Sequence, residues 1–178
     1  YNIQYSSEMR GLYILDITDK ENPEEIGSLD PQGSVNDVIV VDDFAYIAKG
    51  RDGLSIVDIE NIENPVEVGT YDTPGYAGRI SVDENVAYIA DHDGGLQVIN
   101  ISNVENPEET ELIGRCGEDW SIGDVFICEN FAYLSDYSHF LRIVDVSNPE
   151  DPSLVSSYET QDQCRQVEVH DNHAYVGV

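Results

Sequence analysis

The residues best suited to chemistry in this 178-residue chain stand singly, without an intact catalytic motif. Trp120 and Tyr76 offer flat apolar rings, and Arg79 and Arg165 offer forked donors, the side-chain types that hold a carbohydrate or a peptide. Asp37 and Asp124 add carboxylates to that candidate ligand set. Asp91-His92-Asp93-Gly94-Gly95 places alternate carboxylates, Asp91 and Asp93, on a glycine turn, as the first ligands of an oxygen-rich calcium loop do. It lacks the later ligands of an EF-hand loop, so solvated turn carboxylates are the simpler reading. No G-x-S-x-G elbow, H-E-x-x-H pair or glycine-rich phosphate loop is present. The expectation is therefore a non-catalytic chain without a cofactor, calcium being the exception to test. The rival expectation is a hydrolase- or metal-dependent enzyme built on Asp37, Asp124 and His92.

What must position these residues is a repeat. A leucine recurs at Leu12, Leu54, Leu96 and Leu141, at spacings of 42, 42 and 45. Four residues after each comes Asp16, Asp58, Asn100 or Asp145, and a proline follows at Pro23, Pro65, Pro107 and Pro152. An Ala-Tyr pair recurs at Tyr46, Tyr88, Tyr133 and Tyr175, which localises three extra residues between Pro107 and Gly114. Columns that hold one register over four copies mark a repeat architecture.

Each unit reads as four short strands. Val38-Ile-Val-Val and its copies alternate apolar positions, as a half-buried strand does. Asp42-Asp43, Glu84-Asn85, Glu129-Asn130 and Asp171-Asn172 then supply polar pairs that tolerate the left-handed conformations of a tight hairpin. The Ala-Tyr strand follows, then the Leu12-type strand, apolar at nearly every position and so expected to be covered on both faces. Proline at the next corner breaks pairing, and a more exposed fourth strand such as Val66–Tyr71 ends the unit. A once-per-unit Asp at one strand end suggests a structural task, accepting backbone N–H groups at the corner.

Four strands in about 42 residues predict an all-β propeller of four-stranded antiparallel blades. The units fall near 35–71, 77–116 and 122–158, with partial blades at 1–30 and 164–178, and the chain enters in a second strand near Ile3 to Ser6. An open arc of a larger propeller is expected, with remaining blades or another chain at its open edges. A closed four-bladed ring, in which the last inner pair completes the first blade, is the alternative.

The stretches Leu12-Tyr-Ile-Leu-Asp16, Leu54-Ser-Ile-Val-Asp58, Leu96-Gln-Val-Ile-Asn100 and Leu141-Arg-Ile-Val-Asp145 resemble the pentapeptide of the LVIVD-repeat propellers. The Asn-Pro corner and the Ala-Tyr-Ile-Ala strand are similar to that family's pattern too. The resemblance implies a cell-surface or secreted bacterial or archaeal repeat protein, often part of a longer chain, with no assigned catalytic set. Asn100 departs from the pentapeptide's Asp.

Charge limits the partners. Asp and Glu number 36 against 8 Lys and Arg, a net charge of -28, which opposes nucleic-acid phosphates and anionic membranes. No apolar run is long enough to span a membrane. So acidic a surface is self-repelling and best tolerated where salt screens it, as in an extracellular setting. Protein or carbohydrate is the expected partner, and a purely structural surface-layer spacer is a third reading. Three cysteines, Cys116, Cys128 and Cys164, without C-x-x-C spacing read as small core residues.

Overall fold

The computed structural model describes residues 11–103 and 110–178, and every regular element among them is a β-strand. A first pair, β1 (Leu12–Asp16) and β2 (Glu24–Leu29), forms a two-stranded sheet. Three four-stranded antiparallel sheets follow. The first holds β3 (Asp37–Val41), β4 (Phe44–Ala48), β5 (Leu54–Asp58) and β6 (Val66–Tyr71). The second holds β7 (Arg79–Asp83), β8 (Val86–Ala90), β9 (Leu96–Asn100) and β10 (Glu111–Cys116), and the third β11 (Ile122–Cys128), β12 (Phe131–Asp136), β13 (Phe140–Asp145) and β14 (Ser153–Glu159). A last pair, β15 (Gln166–His170) and β16 (His173–Gly177), forms a second two-stranded sheet. The second strand expected near Ile3 to Ser6 and most of the three-residue insertion lie outside the described residues.

Local chemistry explains each unit. Asp42, Glu84, Glu129 and Asp171 take φ between 49° and 53° at the first turn position of the four inner hairpins. At the end of the third strand, Asp16, Asp58, Asn100 and Asp145 each accept a backbone N–H two residues on, from Thr18, Glu60, Ser102 and Ser147, at 2.8–2.9 Å. This side-chain turn starts the corner in all four copies. An amide oxygen does the work as well as a carboxylate, which is why Asn100 fits.

The sheets stack radially, with β3, β7, β11 and β15 lying against one another in succession as the innermost strands. Each seam is a separate apolar core. Between the first two full sheets, Tyr46, Leu54 and Ile56 meet Ile80, Ala87, Ile89 and Ile99, and between the next two, Tyr88, Leu96 and Val98 meet Val125, Leu134 and Val144. Strands β4, β5, β8 and β9 are buried on both faces, whereas β14 is exposed throughout. The arc is open: the terminal pairs β1–β2 and β15–β16 remain separate sheets, so the four-bladed closure is not made among the described residues.

Outer strands carry a bulge that brings the neighbouring sheet's corner close. Gly27 pairs with Ile14 at a bulge in β1–β2, and a Cβ there would sit 1.9 Å from the Ile62 carbonyl oxygen. Gly114 meets the Pro149 oxygen in the same way, at 2.1 Å. In the third full sheet the bulge position opposite Ile143 is Ser156, which is exposed. Gly27→Ala is therefore expected to lower the unfolding free energy in a urea melt by about 1–3 kcal/mol of overpacking, while Ser156→Ala leaves it within about 0.5 kcal/mol, as for an ordinary surface site.

Candidate functional site

The loops leading into each innermost strand and the loops between second and third strands share one end of the arc, and most candidate residues stand there. Asp37 is the first residue of β3 and Asp124 the third of β11, the same position in the repeat. The Asp37 carboxylate accepts the Ile80 N–H of the next sheet at 3.0 Å, and Asp124 accepts the Val167 N–H of the next at 2.9 Å. Their other oxygens accept the N–H groups of Val38 and Val125. Each carboxylate thus latches one inner strand to its successor. Burial pushes the Asp124 carboxyl above its usual range, against the pull of the Val167 and Val125 amides and of the Arg79 charge. Arg79 fills the same position in β7 and reverses the polarity, its guanidinium donating to the Asn36 carbonyl at 3.1 Å.

Tyr76 and Trp120 are enclosed more than their types suggest. The Tyr76 hydroxyl donates to Asn36 Oδ1 at 3.3 Å, and its ring meets the edge of His92 at 5.2 Å. His92 in turn lies 5.5 Å from the Tyr137 ring, and its carbonyl accepts the Ile122 N–H of the third full sheet. Burial holds the His92 imidazole below the usual histidine value, in opposition to the nearby Asp93 charge. On Trp120, the Arg142 guanidinium lies 4.3 Å from the ring centroid, and Gly117 is so near that a Cβ would sit 1.9 Å from the ring. Arg142 itself is held by the buried Asp136 carboxylate at 2.6 Å. Trp120 is therefore part of a seam and not an open platform. Arg165 is exposed, and its side chain makes no hydrogen bond or ion pair among the described residues.

The two calcium-loop carboxylates part company. Asp91 is fully buried and accepts the Thr73 hydroxyl at 2.6 Å and the Gly75 N–H at 2.7 Å, whereas Asp93 is exposed and accepts the Ser121 hydroxyl at 3.3 Å. Among the described residues no group of three or more His, Cys, Asp or Glu stands close enough to hold a metal ion. The geometry does not gather Asp91 and Asp93 into a cation site, because the Asp91 carboxylate is consumed in fastening the end of one sheet to the next.

Lys49, Asp91 and Asp136 occupy one position at the end of the second strand. Asp91 holds Thr73 and Gly75 of the loop that joins the first two full sheets, whereas Asp136 holds Ser138 and Arg142 of its own sheet. Lys49 is buried, and its ammonium donates to the Pro31 carbonyl at 2.6 Å and reaches Glu67 at 3.4 Å, while Ser55 donates to the same Glu67 oxygen at 2.7 Å. Pairing is what makes a buried ammonium tolerable. Beside it a groove of about 850 Å³ opens on the loop face between the first pair and the first full sheet, lined by Asp30, Gln32, Arg51, Asp52, Thr70 and Asp72 among others. Arg51 is exposed there and has no hydrogen-bond or ion-pair partner among the described residues. The sequence analysis left this groove and Arg142 unrecognised. The signal was the change from Asp to Lys in that column.

Together these features define an open arc of propeller blades whose polar residues mostly fasten one blade to the next. The LVIVD repeat model matches at residues 7–30, 32–73, 74–113 and 121–160, and the chain belongs to the LVIVD-repeat family. No curated protein matches it. Among solved structures it resembles the computationally designed Ika8 protein, with 13% identity over 86% of this chain and 46% of that one, at a TM-score of 0.69. It also resembles the computationally designed Ika4 protein, with 14% identity over 86% of this chain and 91% of that one, at a TM-score of 0.68. The chain spans under half the length of the first, and at these identities the likeness concerns fold alone.

Asp124→Ala removes the acceptor of a buried N–H and is expected to cost about 1–3 kcal/mol in a denaturant melt, with Asp124→Asn costing less because it keeps an oxygen. For His92 the folded state disfavours the proton, so the unfolded chain binds it more readily and stability falls as pH drops below the ordinary histidine value of 6.5. His92→Phe should shrink that acid-side loss in melting temperature relative to the unaltered chain.

Proposed function

We propose that the chain is a non-catalytic repeat module of a cell-surface or secreted protein, making protein or glycan contacts through its loop face. The observation that carries this reading is the groove beside Lys49, whose lining combines Arg51, exposed and without a hydrogen-bond or ion-pair partner among the described residues, with Asp30, Asp52 and Asp72. Closely spaced donors and acceptors of this kind suit the hydroxyls of a sugar or the backbone of an extended peptide. The acidic surface favours a saline exterior, where screening weakens self-repulsion. No helix among the described residues is long and apolar enough to cross a membrane.

Against the enzyme reading, the two mouth carboxylates are engaged by backbone N–H groups, so a substrate would have to displace a blade-to-blade bond to reach them. A cofactor-free module predicts a melting temperature unmoved by added calcium, since a native-state ligand must raise stability. The functional test is an array of neutral and acidic glycans with a panel of unstructured peptides, read with the unaltered chain and with Arg51→Ala and Asp52→Ala. A ligand retained by the chain and lost by both variants supports the module. Turnover of an ester, phosphoester or glycoside substrate that Asp124→Asn abolishes would replace it with the enzyme.

A further inference from the structure

The groove beside Lys49 is lined by residues between Asp30 and Asp72, and the other two full sheets show what fills the same place in their own units. The second pentapeptide position decides it. Register sets Ser55 opposite Thr70, Gln97 opposite Arg115 and Arg142 opposite Ser157, so the three are equivalent. Gln97 is fully buried, and its Nε2 donates to the Gly94 carbonyl. Arg142 sets its guanidinium on the Asp136 carboxylate and over the Trp120 ring. Ser55 is too short for either and donates to Glu67. Two units thus fill this place with a long side chain ending in a nitrogen donor, and the first full sheet leaves it as a groove of about 850 Å³.

The open groove is also an acidic one. Asp30, Asp52, Glu67 and Asp72 line it against Lys49 and Arg51. Glu67 stands where the other full sheets carry Leu112 and Leu154. Lys49 is turned back onto Glu67 and the Pro31 carbonyl, so its charge is met within the wall. Asp30, Asp52 and Asp72 are exposed; one Asp30 oxygen accepts the Gln32 N–H, and the carboxylates of Asp52 and Asp72 hold no hydrogen bond or ion pair among the described residues.

We infer that the groove takes an arginine side chain of a partner peptide, which supplies here the guanidinium that Arg142 supplies within the third full sheet. The inference rests on the contact-module reading above and names the group that the groove selects. The planar fork of a guanidinium matches carboxylate oxygens, and Asp52 and Asp72 are free to receive it. A neutral sugar would leave that charge unmet, and an acidic ligand would be repelled by it. Arg51 keeps a separate task, donating to a carbonyl of the peptide backbone.

The chain carries a charge of -28 and attracts any cation, so the test compares substitutions of equal charge. The probes are the peptide Gly-Ser-Arg-Ser-Gly with both ends blocked and the same peptide with glutamine or glutamate at its centre. Each is titrated at low salt while NMR follows the Gly33, Asp52 and Thr70 amides. The arginine peptide should shift these amides and bind about tenfold tighter than the glutamine peptide, as charge-assisted bonds do. Asp52→Asn and Asp72→Asn should each shrink that preference. Glu150→Gln, the same charge change at an exposed corner beyond the far end of β13, should leave it intact. Arg51→Ala should weaken all three peptides alike. Equal binding of the three peptides, or a neutral glycan bound at these amides in their place, keeps the contact module and overturns the arginine inference. A preference that Glu150→Gln reduces as much as Asp52→Asn overturns it too, as general charge attraction. Groove amides that no peptide or glycan moves would overturn both readings.

Discussion

A sheet of four five-residue strands with apolar side chains on both faces has no stable existence alone in water; it must be covered on each side. That constraint organises this protein. The third strand of each unit is apolar at nearly every position because its alternating residues belong to two different seams. Leu54 and Ile56 face the following sheet, while Val57 packs with the preceding one, beside Leu12 and Ala45. Loss of either neighbour strands half of that strand's burial. The constraint also fixes what the polar residues near the axis do: a radial stack brings inner strands together without pairing them as a sheet, so Asp37 and Asp124 supply the bonds that strand pairing would have made.

Much of the fold was legible because the constraint repeats. Leucine, the Asx residue four positions later and the Ala-Tyr pair each meet the same surroundings once per blade, so identical chemistry recurs at a fixed interval and stands out from one sequence. The Asx turn was readable for the same reason, since its donor lies two residues away. The candidate site was far less legible. Trp120 looks like a free platform until its partner Arg142 is found, and Arg142 lies in the second pentapeptide position, which holds Tyr13, Ser55 and Gln97 in the other units. Asp91 looks like a calcium ligand until Thr73 and Gly75 are seen to hold it. A residue's type shows its capacity to bond, and only the assembled seam shows that the capacity is already used.

The same bookkeeping separates structural from available polarity. Asp91 and Asp124 are committed across seams, Asp136 is committed to Arg142 of its own sheet, and His92 is wedged between two tyrosines across a seam. What is left over lies where a seam is imperfect. The exchange of carboxylate for ammonium at Lys49 coincides with the seam that opens into a groove, and Arg51 is left there without a partner among the described residues. Departures from the repeat, more than the repeat itself, leave hydrogen-bonding groups unspent.

The central claim is that at two of the three junctions between inner strands, β3 to β7 and β11 to β15, a carboxylate of one blade holds an amide of the next. Hydrogen exchange at the Ile80 and Val167 amides, resolved residue by residue, tests it most directly. Both amides should exchange slowly in the intact chain, and Asp37→Ala should speed Ile80 alone while Asp124→Ala speeds Val167 alone. Exchange at the rate of open solvent-exposed amides in the unaltered chain, or protection indifferent to both substitutions, would contradict the radial stack described above.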